Sequence, residues 1–294
     1  MNKRILALIL AASAVLGLAG CKKDSSEKGA EAVFDGKKEI TVISREDGSG
    51  TRGAFTELCG ISEKVDGKTV DRTVDTADIT QSTGVMLSAV GENEYAVGYV
   101  SLGSLSDSVK ALTVDGVKVS KETVKDKTYK ISRPFNIATV ETISPQTEEF
   151  IKFIMSTEGQ AVVENEGYVS VGNGGDFKSE DLKGKITIAG SSSVTPVMEK
   201  LKEAYEKINP NVTIEINQSD STSGMKSAAD GICDIGMASR EIKESELAKG
   251  LKAKEIAMDG IAVIVNKQNP LNDISPENIK NIYVGSFAKW EEVK

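Results

Sequence analysis

Histidine is absent from the 294 residues. The chain therefore lacks the side chain that most often serves as general base and metal ligand near neutral pH. Only three cysteines are present, none in a Cys-x-x-Cys pair, so neither a structural zinc site nor a Ser-His-Asp or Cys-His catalytic group is expected. Aromatic residues are scarce at 5%, and the single tryptophan, Trp290, reads as core rather than as a ligand platform. No basic run occurs past the first few residues and the net charge is -8, so a nucleic-acid partner, which needs clustered Lys and Arg, is not expected. What remains is an ordinary soluble balance, with 39% hydrophobic and 27% charged residues, and enough length for one large domain or two lobes.

The first residues read as a targeting segment. Lys3 and Arg4 precede an apolar run at 5–18 that is too short for an ordinary spanning helix, which needs about 20 residues. The run ends in Leu-Ala-Gly-Cys at 18–21 and resembles a bacterial lipobox. That resemblance implies a signal peptide over 1–20, cleavage before Cys21 and a lipid on its sulfur, which anchors the protein to a membrane without spanning it. Residues 21–37, rich in Lys, Ser, Glu and Gly, read as a flexible tether.

From residue 38 onward short β-branched runs alternate with amphipathic stretches. Strands are expected at 39–44, 95–102, 185–189, 212–216 and 261–265, and helices at 146–164 and 196–208. The interleaving indicates an α/β sheet. The Gly-, Asn- and Ser-containing stretch 170–184 reads as a linker between two halves that show no internal repeat.

Several strands end in small hydroxylated residues and Gly just before a helix: REDGSGTR at 45–52, GSSSVTP at 190–196, DSTSG at 220–224 and GMASR at 236–240. Such loops suit anion capture. Free N–H groups and the positive end of the helix dipole face the ligand, hydroxyls add bonds, and one Arg grips two oxygens. Each loop taken singly is an ordinary helix cap, and QSTG at 81–84 reads that way by default.

At this point the motifs become specific. REDGSGT with Phe55, GSSSVTP, STSG and DIGMASR resemble the signature loops of phosphate-binding proteins of the high-affinity phosphate ABC transporter. MDGIAVIVNKQNPL, SPENIKNIYVGSFAKW, YAVGYVSLGSL and ISRPFNIAT extend the likeness over most of 38–294. The resemblance implies an α/β, two-lobed periplasmic-binding-protein fold of the second type. It also implies an extracytoplasmic receptor, not an enzyme, that works as a monomer without cofactor or metal and delivers phosphate to a membrane permease. Receptors for sulfate, molybdate or tungstate, and a phosphate sensor without transport, are the alternatives. In the usual family order the GSSSV half precedes the REDGSGT half. The reversal here implies a circular permutation, with a fusion or a swapped chain as its rival. Lobe A is then split, 38–130 plus 266–294. Lobe B spans 131–265, with crossing segments at 131–139 and 258–266 and the linker at 170–184. Cys59 and Cys233 fall in different lobes and are expected as thiols.

The resemblance assigns phosphate contacts to Arg45, Ser49, Gly50 and Thr51 on one side, and to Ser192, Ser193, Ser223 and Ser239 on the other, with Ser191 beside them. Arg240 stands where the family often carries an Asp that accepts the proton of hydrogenphosphate and so repels sulfate. The expectation is that Arg240 is either a second clamp or a residue of the lobe edge, and that the carboxylate filter is either missing or supplied elsewhere, by Asp47 or Asp220.

Overall fold

The computed structural model describes residues 34–172 and 174–293; the leader, Cys21 and tether residues 22–33 lie outside them. In chain order the principal elements are β1 (Thr41–Arg45), α1 (Gly50–Leu58), β2 (Asp78–Thr80), α2 (Thr83–Glu92), β3 (Ala96–Ser101), β4 (Ser132–Thr139), α3 (Pro145–Met155), α4 (Thr157–Asn165), β5 (Gly184–Ser191), α5 (Thr195–Ile208), β6 (Val212–Ser219), α6 (Ser221–Ala229), β7 (Ile235–Ala238), β8 (Lys252–Val265) and α7 (Pro276–Tyr283). One mixed sheet runs β6-β5-β7-β4-β8-β3-β1-β2. Pairing is parallel within β6-β5-β7 and within β3-β1-β2, and antiparallel through β4 and β8 between them.

Two cores flank this path. Ile43, Phe55, Val97, Tyr99, Ile261–Val265 and Tyr283 fill one; Phe135, Phe150, Phe153, Ile188, Leu201 and Tyr205 fill the other. Helix α5 shows the packing logic. Val197, Leu201 and Tyr205 recur every four residues, face inward, and follow Pro196 in the first turn, where a missing N–H costs nothing. Strand β8 is longer than its apolar half 261–265 suggests, because its polar start, from Lys252, pairs with β4 on the second lobe.

β4 and β8 carry the chain between the cores. Ile131 belongs to the first core and Phe135 to the second; Ala257 belongs to the second and Ile261 to the first. Arg133 and Asp259 face each other at this crossing. Their side chains form an ion pair at 3.1 Å and are 2% and 0% exposed. Asp259 also accepts from Ser101 Oγ at 2.9 Å and Leu102 N at 3.1 Å. Burial pushes the Asp259 carboxyl up to about 6 although Arg133 opposes the shift, and burial pulls the Arg133 guanidinium down. Because the native value is the raised one, this carboxyl's contribution to stability is full below its unfolded value of about 4 and is lost as pH rises through about 6.

Three expectations change. The helix read over 146–164 is two helices. Ser156 adopts an extended backbone and accepts from Gly159 N, capping α4 where one helix would have continued. The tether read to 37 ends earlier: Phe34 packs on Tyr95 and Trp290, and Gly36 O accepts from Glu291 N. The linker read over 170–184 ends where β5 begins at Gly184, and its described residues before that have neither helix nor strand but are pinned to their lobe. Phe177 lies 5.2 Å from the Phe153 ring, Val171 N donates to Gln160, and Glu180 N donates to the buried Glu149. Cys59 and Cys233 are free and buried, Cys59 in the first core and Cys233 in a smaller third cluster with Ala189 and Met225.

The crossing pair yields a test. Asp259→Ala leaves a buried guanidinium without its partner and is expected to cost about 3–5 kcal/mol in urea unfolding. Arg133→Met combined with Asp259→Leu is expected to restore most of that loss; a double variant as unstable as the single would show that the pair's charge is not the cause.

Candidate functional site

Four strands, β1, β2, β5 and β6, end within a few residues of the N-termini of α1, α2, α5 and α6, and β7 ends one residue before Ser239. These C-terminal strand edges meet between the two cores, the usual ligand position in open α/β sheets. The N–H groups of a helix's first turn have no intrahelical partner, so the four helix ends bring donors and positive dipole ends into one place.

The side chains there form one hydroxyl network that crosses from lobe to lobe. Thr51 Oγ1 lies 2.9 Å from Ser193 Oγ and 3.4 Å from Ser239 Oγ. Thr83 Oγ1 lies 3.1 Å from Ser193 Oγ and 3.3 Å from Ser192 Oγ. Ser191 Oγ donates to Ser239 Oγ at 2.9 Å, and Ser221 Oγ, 3.4 Å from Ser239 Oγ, accepts from Ser239 N. All of these residues are buried.

Arg45, at the end of β1 and 2% exposed, is the cation of this network. Its Nη2 donates to Ser192 Oγ at 3.0 Å and its Nη1 to Thr83 Oγ1 at 3.4 Å. The Nε–Nη2 edge of the guanidinium is gripped by Glu46, with Nε and Nη2 at 2.8 and 2.7 Å from its two oxygens, so Nη2 serves both Glu46 and Ser192. Its backbone N–H donates to Tyr99 OH, which also bonds Ser44 Oγ. Tyr99 stacks on Phe55 at 4.0 Å, and burial lifts its phenol to about 12, so the hydroxyl stays neutral. The first core thereby fixes where the guanidinium starts. The arrangement suits a tetrahedral oxyanion: many donors, one charge-assisted fork and no bulk water.

Of the residues singled out in the sequence, Arg45, Thr51, Ser191, Ser192, Ser193 and Ser239 come together here. Gly50 presses against the same cluster: a Cβ there would lie 2.4 Å from Ser221 Oγ and 2.8 Å from Ser239 Oγ. Ser49 is buried beside them and caps α1 by accepting from Arg52 N. Three residues stand elsewhere. Ser223 is exposed and bonded to Asp220, the cap of α6; as the third residue of that helix it points away, and Ser221, the first, faces the cluster instead. Asp47 is exposed and paired with Arg52. Arg240 turns its guanidinium onto Glu246 at 2.8 and 2.9 Å, which fits the lobe-edge reading rather than the clamp. Asp220 is held by its capping bonds to Ser223. Thr83, Ser221, Glu46 and Tyr99 were not among the expected contacts. QSTG carried a signal for Thr83, because Ser82 caps α2 while Thr83, one residue on, reaches the cluster.

A family model described as a PBP superfamily domain matches residues 21–158 and 177–294. The phosphate-binding protein PstS 2 of Streptococcus agalactiae is 50% identical over 298 residues, covering all of this chain and 99% of the relative. The chain belongs to the PstS family of phosphate-binding proteins. A second PstS 2, from Streptococcus pneumoniae, is 43% identical over 99% of both chains. A crystal structure of a phosphate ABC transporter's phosphate-binding protein from S. pneumoniae superimposes with a TM-score of 0.69 and 45% identity, covering 87% of this chain and all of that one. The two-lobed α/β architecture is thus that of the PstS family. The family model's two matched segments leave out 159–176, which holds the first half of the pinned loop before β5.

Gly50→Ala tests whether the lobes must meet this closely. The added Cβ is expected to hold the lobes apart, raising the radius of gyration in small-angle scattering with little change in melting temperature. An unchanged radius would mean that the cleft does not need the glycine.

Proposed function

We propose that this protein captures inorganic phosphate between its lobes and delivers it to the membrane permease of an ABC transporter. The observation that carries this reading is the buried network in which Arg45 and hydroxyls from both lobes converge with four helix N-termini. Its chemistry is that of anion binding, and the PstS relatives named for phosphate supply the ligand. Arg45, Gly50, Thr51, Thr83, Ser191, Ser192, Ser193, Ser221 and Ser239 form the phosphate site, with Ser49 holding α1 in place.

The protein binds without turning its ligand over. The chain holds no histidine, and Glu46, the carboxylate beside the network, has both oxygens bonded to Arg45. Both walls of the cleft come from one chain, so a monomer suffices. It works outside the cytoplasm, held to the membrane by a lipid on Cys21, as the Leu-Ala-Gly-Cys run at 18–21 implies. Among the described residues no helix is long and apolar enough to cross a membrane. The order of the halves is a circular permutation of the usual family order, joined through 170–184.

Titration calorimetry of the purified protein with phosphate, sulfate and molybdate tests the reading. Phosphate is expected to bind and to raise the melting temperature. Arg45→Ala removes charge-assisted bonds worth about 1.5–3 kcal/mol each and is expected to weaken phosphate by roughly 100-fold, and to lower ligand-free melting as well because Glu46 loses its partner. Undiminished phosphate stabilisation of Arg45→Ala would place the site elsewhere, and tighter binding of sulfate or molybdate would change the ligand.

A further inference from the structure

Beside the hydroxyl network, at the rim of the cleft, a second set of bonds joins the lobes without touching the anion-binding side chains. Thr222, exposed at the start of α6, donates to the Gly48 carbonyl twice, through its backbone N–H and through Oγ1, both at 3.2 Å. Gly48 lies in the loop between β1 and α1 of the other lobe. The approach is tight: a Cβ on Gly48 would lie 2.1 Å from Asp220 Oδ1. Arg240 Nη2 in turn donates to Thr222 Oγ1 at 3.3 Å, and Glu246 holds the Arg240 guanidinium with both oxygens.

The chemistry of this chain is directional. A hydroxyl has one proton to give and two lone pairs to accept with. When Arg240 occupies a lone pair of Thr222 Oγ1, the O–H is left to aim at the Gly48 carbonyl, and bonds in series strengthen one another. Burial works against the Glu246 charge, but its hydrogen bonds to Arg240 and Lys243 N outweigh that and hold the carboxyl below its ordinary value, so it stays ionised. Arg240 itself is only 8% exposed, and its side-chain stem packs at the Gly50 turn, 3.1 Å from where a Cβ would stand.

We infer that Glu246, Arg240 and Thr222 form a closure latch on Gly48, which sets how long the shut cleft holds its anion and takes no part in choosing it. This rests on the phosphate reading above for its ligand, but the latch concerns closure itself. Arg240 and Thr222 are positioning residues: they act on the loop that presents Gly50 and Thr51 rather than on the anion.

Stopped-flow kinetics with phosphate separates the latch from a direct contact. Thr222→Val keeps the β-branched shape and removes the hydroxyl; Arg240→Met keeps the stem and removes the donor. Each is expected to speed phosphate dissociation about 3- to 10-fold with association unchanged, the fold-change of one hydrogen bond lost from the closed state. The two changes made together are expected to do little more than either alone, because they break one chain. Equal dissociation rates in wild type and variants would overturn the latch, as would a loss of binding as deep as that of Arg45→Ala, which would make Thr222 or Arg240 a ligand contact. If wild type fails to bind phosphate, the functional reading falls instead. Small-angle scattering of the ligand-free proteins then decides the latch, which requires Thr222→Val to be more open than wild type and fails if the two are equally closed.

Discussion

The structure depends on keeping a guanidinium dry. Arg45 sits almost wholly out of water at the junction of two lobes, and every neighbouring element answers to that cost. Glu46 takes the Nε–Nη2 edge of the fork, Ser192 bonds Nη2 and Thr83 bonds Nη1; Tyr99 anchors the backbone beneath. Around it seven hydroxyls, of Thr51, Thr83, Ser191, Ser192, Ser193, Ser221 and Ser239, bond among themselves across the cleft. A hydroxyl can both donate and accept, so the same groups satisfy one another when the lobes touch directly and can turn toward an anion's oxygens. Histidine or a fixed amide would not be so adaptable.

The sheet serves this site by letting the lobes move as units. Strands β4 and β8 run from core to core through the sheet, and the Arg133–Asp259 pair sits where they do. A buried ion pair is weak evidence of stability, since apolar residues of the same volume often do as well. Its use here is alignment: it ties the facing residues of two strands whose bending changes the cleft, while the neighbouring apolar stretches stay embedded in their own cores. Two separate cores, a short crossing and a rim contact at Gly48 leave few connections between the lobes.

Much of this was legible in the sequence, and the exceptions have physical causes. β1, β3, β5 and α5 follow from β-branched runs and four-residue apolar spacing, and the Arg45–Thr51 and Ser191–Ser193 turns could be picked out because strand, small residues and helix follow in order. The STSG motif points to Ser223 but does not fix which residue of the helix's first turn faces inward; in the structure Ser223 bonds the cap Asp220 while Ser221 bonds Ser239. Thr83 looked like one more helix cap, and only the folded chain brings α2's N-terminus against Ser192, 109 residues away. Tyr99 gave no signal at all, since a tyrosine in an apolar strand reads as core, which it also is. The break at Ser156 was hidden because the apolar spacing runs on through it.

The two sulfhydryls have a consequence for a protein that meets an oxidising medium. Cys59 and Cys233 are buried in separate lobes, and burial lifts them to about 12 and about 11. Thiolate is the reactive form, so neither is poised to couple with the other or with small oxidants. Burial in separate lobes thus keeps these two sulfhydryls both apart and protonated.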